Sequence, residues 1–208
     1  MSRKPRRTAR RATRRGDIVP TQEFSVGTRR IYVFDDLCRP ELVEALGLWL
    51  LRLDYQPRES FDNELSVGIS PAQLQRLPEL PELLERVLAR FYPAMVRMPA
   101  AQSMSHAYAA ALRYGDHTVM HRDIQCEDCV TFLYYGNLVW QPAWGGETVF
   151  FDDAENACHC VAPKPGRLVL FNAAIYHRTG VPQRHCPSTR YGLSIFYRCA
   201  AARAAPHR

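Results

Sequence analysis

The chain has 208 residues, with 27 Lys and Arg against 21 Asp and Glu, for a net charge of +6. At 47% hydrophobic and 23% charged its composition is that of an ordinary globular protein, which excludes wholesale disorder, and the length favours one domain. The basic balance does not establish a nucleic-acid partner, because residues 1–17 hold eight of the bases and one acid and leave the rest of the chain near −1.

Residues 1–28 read as a basic, disordered tail ahead of a domain over 29–208, since residues 1–17 are like-charged, Pro-interrupted and free of large apolar groups. The tail could bind nucleic acid or an acidic surface; it could equally be a solvated extension or a misassigned start. It lacks the apolar h-region of a secretory signal, and no window approaches the roughly 18 apolar residues of a membrane span. Seven cysteines, an odd number, fit reduced thiols better than a disulfide framework. These features predict a soluble cytoplasmic protein.

A strand-like run follows at Arg30–Phe34, stopped by Asp35 and Asp36. Pro40 suits a first helical turn, and residues 41–53 carry apolar groups at helical spacing, with Val43, Leu46, Leu50 and Leu53 on one expected face. Residues 56–70 read as an irregular loop, and a second helix is expected over 81–91, ending before Pro93. From about residue 105 the texture becomes β-rich, with runs at 107–112, 129–135, 147–151, 167–171 and 191–197 separated by Gly, Pro, Asp and Asn. The pattern predicts an α+β chain with a mainly β core, a jelly roll with the N-terminal helices packed outside it.

Within that core His121-Arg122-Asp123 can present two ligands on one face, because alternate side chains of an extended segment share a face. His177 lies 56 residues further on, after the strand-like run 167–171. Two histidines and one carboxylate make the facial triad that holds Fe(II) and leaves positions open for a bidentate cosubstrate and O₂. A dicarboxylate cosubstrate needs a cation at its far end. Arg190 heads the strand-like run to Tyr197 and would be costly inside a barrel without a carboxylate partner. Thr131, Leu133 and Tyr135 share a strand face, so the Tyr135 hydroxyl could join Arg190.

These pieces, with Cys129-Val-Thr-Phe-Leu-Tyr-Tyr-Gly-Asn137, Trp144-Gly-Gly-Glu-Thr-Val-Phe150, Pro163-Lys-Pro-Gly-Arg-Leu-Val-Leu-Phe171 and Thr189-Arg-Tyr-Gly-Leu-Ser-Ile-Phe-Tyr197, resemble in order and approximate spacing the 2-oxoglutarate and Fe(II)-dependent dioxygenases of the prolyl 4-hydroxylase-like branch. The resemblance runs from Tyr114 to Tyr197 and implies a double-stranded β-helix over about 105–198. It implies iron on His121, Asp123 and His177, and 2-oxoglutarate on Arg190 and Tyr135, with Tyr114 a further candidate. The interval from His177 to Arg190 is longer than the family usually shows, which leaves Arg184 as a rival. The implied reaction hydroxylates an unactivated C–H of a small molecule, amino acid or peptidyl residue, with O₂ consumed and succinate and CO₂ released. The halogenating relatives replace the carboxylate, so Asp123 favours hydroxylation.

Arg122, Trp140 and Trp144 are candidate substrate contacts by their position near the metal motif or between core strands. Three other readings stay open. Cys126-x-x-Cys129 with Cys158-His-Cys160 could hold zinc. Arg184 and Arg190, with the basic tail, could belong to a nucleic-acid oxidative demethylase, although a neutral body offers no basic stripe for a phosphate backbone. A catalytically lapsed binding module of the same fold is the third.

Overall fold

In the computed structural model, which describes residues 18–57, 64–77, 79–96, 102–116 and 118–199, the β-rich runs become strands of two antiparallel sheets. The chain enters through β1 (Gln22–Val26) and β2 (Arg29–Phe34), paired across a turn in which Gly27 takes a φ of 59°. Helix α1 (Pro40–Leu51), the short β3 (Gln56–Pro57), β4 (Leu65–Ile69), α2 (Pro71–Gln75) and α3 (Leu80–Phe91) follow. The other strands are β5 (Gln102–Leu112), β6 (Val130–Tyr135), β7 (Thr148–Phe151), β8 (Ala157–Val161), β9 (Leu168–Asn172), β10 (Tyr176–Thr179) and β11 (Arg190–Cys199). Eight of them form one sheet in the order β1-β2-β9-β6-β11-β5-β4-β3, and β10-β7-β8 form the other. This is the expected double-stranded β-helix with its helices outside.

Period-two alternation divides each central strand between two cores. On β6, Phe132 and Tyr134 face the helices, whereas Leu133 and Tyr135 face the small sheet. Helix α3 meets the outer face with Leu80, Leu84, Val87, Leu88 and Phe91, a stripe at spacings of three and four. Helix α1 does so with Leu42, Leu46 and Leu50. The stripe of α1 is therefore centred beside the expected one, and Val43 and Leu53 are only partly buried. Between the sheets, Val33, Leu133, Val169, Phe171, Phe150 and Val161 fill the barrel.

Several expectations are corrected. The boundary at residue 28 is too late, because Ile18 is buried and β1 extends the large sheet; residues 1–17 lie outside the described residues. The region 56–70 is not simply irregular, since β4 pairs along β5; its residues 58–63 lie outside the described residues. Helix α2 was not expected, although Ser70 and Gln73 form a reciprocal capping box. Strands β8 and β10 escaped notice because polar residues interrupt them. Among the described residues no helix is long and apolar enough to cross a membrane.

The Asp-Asp stop after β2 also ties the sheet together. Asp35 accepts from Arg167 Nε at 2.7 Å and Nη2 at 3.0 Å, and Lys164 Nζ lies 3.2 Å away. Burial raises the Asp35 carboxyl, but these cations outweigh it and hold it below the usual carboxylate range. A depressed folded pKa contributes stability that is present above the unfolded value, near about 3.9, and lost as pH falls through the folded one. Asp35→Asn is expected to cost about 3–5 kcal/mol at pH 7, the scale for breaking a buried ion pair. Urea unfolding at pH 7 and at acid pH should show the deficit shrinking on acidification. A constant deficit would mean that the ion pair is not its source.

Candidate metal centre

The two candidate histidines are joined first by their backbones. His121 N–H donates to His177 C=O and His177 N–H to His121 C=O, both at 2.9 Å. Such an antiparallel pair projects both side chains to one face, and the ring centroids stand 4.5 Å apart. Asp123, two residues on, shares that face: its Oδ1 lies 3.4 Å from His121 Nε2 and 3.5 Å from His177 Nε2. One ligand atom from each residue falls within 4.8 Å of the others.

The opposite side of each group is occupied. His121 Nδ1 faces Val119 C=O at 2.9 Å and His177 Nδ1 faces Ile175 C=O at 3.0 Å. A carbonyl only accepts, so Nδ1 carries the proton and the Nε2 lone pair is left towards Asp123. Asp123 Oδ2 accepts from Thr131 Oγ1 at 2.7 Å, leaving Oδ1. Burial lowers the His177 pKa, against the pull of Asp123, and keeps the ring neutral. Burial raises the Asp123 carboxyl, but the two imidazoles and the Thr131 hydroxyl outweigh it and hold it low. One anionic oxygen and two neutral nitrogens on one face suit a divalent first-row ion with positions left open.

At the head of β11, Arg190 is 1% exposed. Its Nε donates to Gly146 C=O at 2.8 Å and its Nη2 to Thr148 Oγ1 at 3.3 Å, and the guanidinium lies 5.0 Å from the Tyr135 ring centroid. No carboxylate among the described residues forms an ion pair with it. Burial therefore lowers its pKa, with the Tyr135 hydroxyl, Glu64 and Tyr108 acting the other way. A buried guanidinium with donors to spare is a receptor for an anion. Tyr135 Oη stands 2.8 Å from Thr148 Oγ1 and donates to Val161 C=O at 2.9 Å. Thr131 and Tyr135 share the inward face of β6, so one strand links the candidate metal ligands at one end to the cation at the other.

The other sequence candidates separate on burial. Arg184 is exposed. Tyr114 is 61% exposed in the turn after β5, and the structure does not gather it with Arg190 and Tyr135. Trp140 is buried and donates from Nε1 to Gly145 C=O at 3.0 Å, while Trp144 meets it edge-on at 5.5 Å. Trp140 thus braces the turn that presents the Gly146 carbonyl to Arg190, rather than an open rim. A Cβ on Gly146 would stand 3.0 Å from Trp140 and 3.2 Å from Arg190, at a φ of 80°, so glycine is required there. The zinc reading fails: among the described residues the group of His121, Asp123 and His177 is the one with metal-ligand spacing, and it contains no cysteine. Thr148 was missed, although alternation along β7 places it inward.

Residues 109–198 match the family model described as the 2OG-Fe(II) oxygenase superfamily. No curated protein matches the chain. A prolyl-4-hydroxylase from Pseudomonas putida is similar in structure, with 22% identity over 84% of this chain and 95% of that one and a TM-score of 0.63. A prolyl hydroxylase from Trichoplax adhaerens, in complex with a hypoxia inducible factor oxygen degradation domain peptide, gives 16%, 80%, 82% and 0.62. HygX from Streptomyces hygroscopicus, with nickel, 2-oxoglutarate and hygromycin B bound, gives 17%, 84%, 84% and 0.60. At these identities the structural likeness establishes the fold.

Proposed function

We propose that this chain, whose residues 109–198 match the model of the 2OG-Fe(II) oxygenase superfamily, is an oxidoreductase that uses Fe(II), 2-oxoglutarate and O₂ to hydroxylate an unactivated C–H of a small molecule, an amino acid or a peptidyl residue. Succinate and CO₂ are the coproducts. The observation that carries the reading is the inward face of β6, which carries a different group at each end. At one end three lone pairs converge within 4.8 Å, and at the other a buried guanidinium has no carboxylate partner among the described residues.

Fe(II) held by His121, Asp123 and His177 would supply the activation of O₂, coupled to oxidation of the cosubstrate. The chain's own part is placement. His121 and His177 present Nε2 because Val119 and Ile175 hold their Nδ1 protons, and Thr131 turns Asp123 so that Oδ1 remains for the ion. Arg190 would take the distal carboxylate of 2-oxoglutarate, with Gly146 and Thr148 fixing its fork and Tyr135 beside it. Phe150 and Phe171 pack against His177 at 5.9 and 4.9 Å between centroids and keep water from that side.

A hypoxia inducible factor peptide and hygromycin B bound to similar folds support the peptidyl and small-molecule classes. The −1 charge of residues 18–208 gives a nucleic acid no comparable support. Mass spectrometry of candidate amino acids, peptides, aminoglycosides and oligonucleotides is the deciding experiment. A gain of one oxygen that needs both Fe(II) and 2-oxoglutarate is expected. Loss of a methyl from an oligonucleotide would replace this reading with the demethylase one.

A further inference from the structure

Beyond the paired backbones of His121 and His177, the next residues outward are Arg122 and Tyr176. Arg122 separates two of the candidate ligands and Tyr176 precedes the third. Alternation turns both side chains to the back of the ladder, away from the imidazoles. There the Arg122 guanidinium carbon lies 3.9 Å from the Tyr176 ring centroid, a close cation–π stack. Its outer end is fixed too: Nη2 reaches Asp153 Oδ1 at 3.3 Å, in the turn between β7 and β8. The same oxygen accepts from Arg29 Nη1 at 2.8 Å, and Arg29 forks Glu127 with Nε at 3.0 Å and Nη2 at 2.7 Å. Glu127 lies four residues after Asp123. The network therefore ties the ligand segment 121–127 to β2, to the β7–β8 turn and to β10.

We propose that Arg122 and Tyr176 form a clamp behind the metal centre that positions His121, Asp123 and His177 for the ion, so that Arg122 is a positioning residue and not a substrate contact. The proposal rests on reading those three residues as the metal site. One face of the Arg122 guanidinium is covered by Tyr176 and one terminal nitrogen is held by Asp153, which leaves it poorly placed to reach round to the face that carries the imidazoles. The two ligand segments also meet through the His121–His177 backbone pair, through Ile124 N–H to Ala173 C=O at 3.2 Å and through Thr118 with Thr179. A stack one residue away on the other side resists twisting of that pair, and twisting would spread the Nε2 atoms.

The test is Mn(II) affinity of the full chain, read from the free-Mn(II) paramagnetic resonance signal, with a melting curve of each metal-free variant. Arg122→Met and Tyr176→Leu are each expected to weaken Mn(II) binding by about tenfold, the lower end for outer partners of metal ligands. Tyr176→Phe, which keeps the ring face, should stay within about twofold of the original protein. The double variant should be no weaker than either single one, because each removes the same unit. If Arg122→Met fails to fold, Asp153→Asn at an exposed position releases the outer end and should lower affinity severalfold. Arg122→Met with unchanged Mn(II) affinity would overturn the clamp, as would Tyr176→Phe as weak as Tyr176→Leu. His177→Ala binding Mn(II) as tightly as the original protein would instead overturn the metal site itself.

Discussion

Asp123→Ala is expected to reduce Fe(II)-dependent succinate formation to the level without enzyme. The substitution removes the one anion of the three-ligand set and leaves two neutral imidazoles for a divalent ion. Metal affinity should fall by more than about a hundredfold, beyond the range seen when only an outer partner of a ligand is lost. The fold should survive. The Asp123 carboxylate takes one hydrogen bond from Thr131, and an unpaired buried hydroxyl costs about 1–3 kcal/mol. A melting curve beside the succinate assay separates loss of metal from loss of structure. Asp123→Ala that still forms succinate with Fe(II) would remove Asp123 from the site.

Arg190→Ala is expected to raise the 2-oxoglutarate requirement by about thirtyfold or more. Truncating one partner of a buried, hydrogen-bonded charge pair costs about 2–5 kcal/mol, and each 1.4 kcal/mol is tenfold. Mn(II) affinity should be unchanged, because the guanidinium sits at the cation end, on Gly146 and Thr148. Arg190→Lys should recover part of the loss, since a lysine restores the charge but not the two-pronged donor. Arg184→Ala should leave the requirement as it was, because that side chain is exposed. The opposite ranking of the two arginines would move the cosubstrate anchor to Arg184. Binding of 2-oxoglutarate to the Mn(II)-loaded chain measures the effect without a substrate.

Much of the site was legible because its parts are local or strongly patterned. His121-x-Asp123 obeys a period of two, and Arg190 heads a strand that alternates cleanly into Tyr197. The strands that sequence reasoning found include those buried on both faces, such as β6 and β9, where every residue is buried. Those it missed are β8, with a half-exposed Ala-Cys-His-Cys-Val, and β10, where His177 itself interrupts the pattern. The inner end of the tail was misplaced for a similar reason. Gln22–Val26 is polar on its open face and becomes a strand by pairing with β2. Helix α1 was found, but its buried stripe was set by which side meets the sheet, and helical spacing alone allows neighbouring choices.

The sequence by itself determined the candidates: three residues suited to a metal ion, an arginine suited to a dicarboxylate, a mainly β barrel with helices outside, and a charge confined largely to the first 17 residues. Only the tertiary structure decided how those groups are held. It buried Arg190 and left Arg184 exposed, set Tyr114 on the surface and turned Trp140 into a brace for the Gly145-Gly146 turn. It also bound Arg122 to Tyr176 and Asp153, contacts 54 and 31 residues apart. The physical reason is that ligand identity follows from local side-chain chemistry and period, whereas a buried cation or an outer-shell partner is defined by what lies across the sheets. No spacing along one chain encodes which distant side chain will be there.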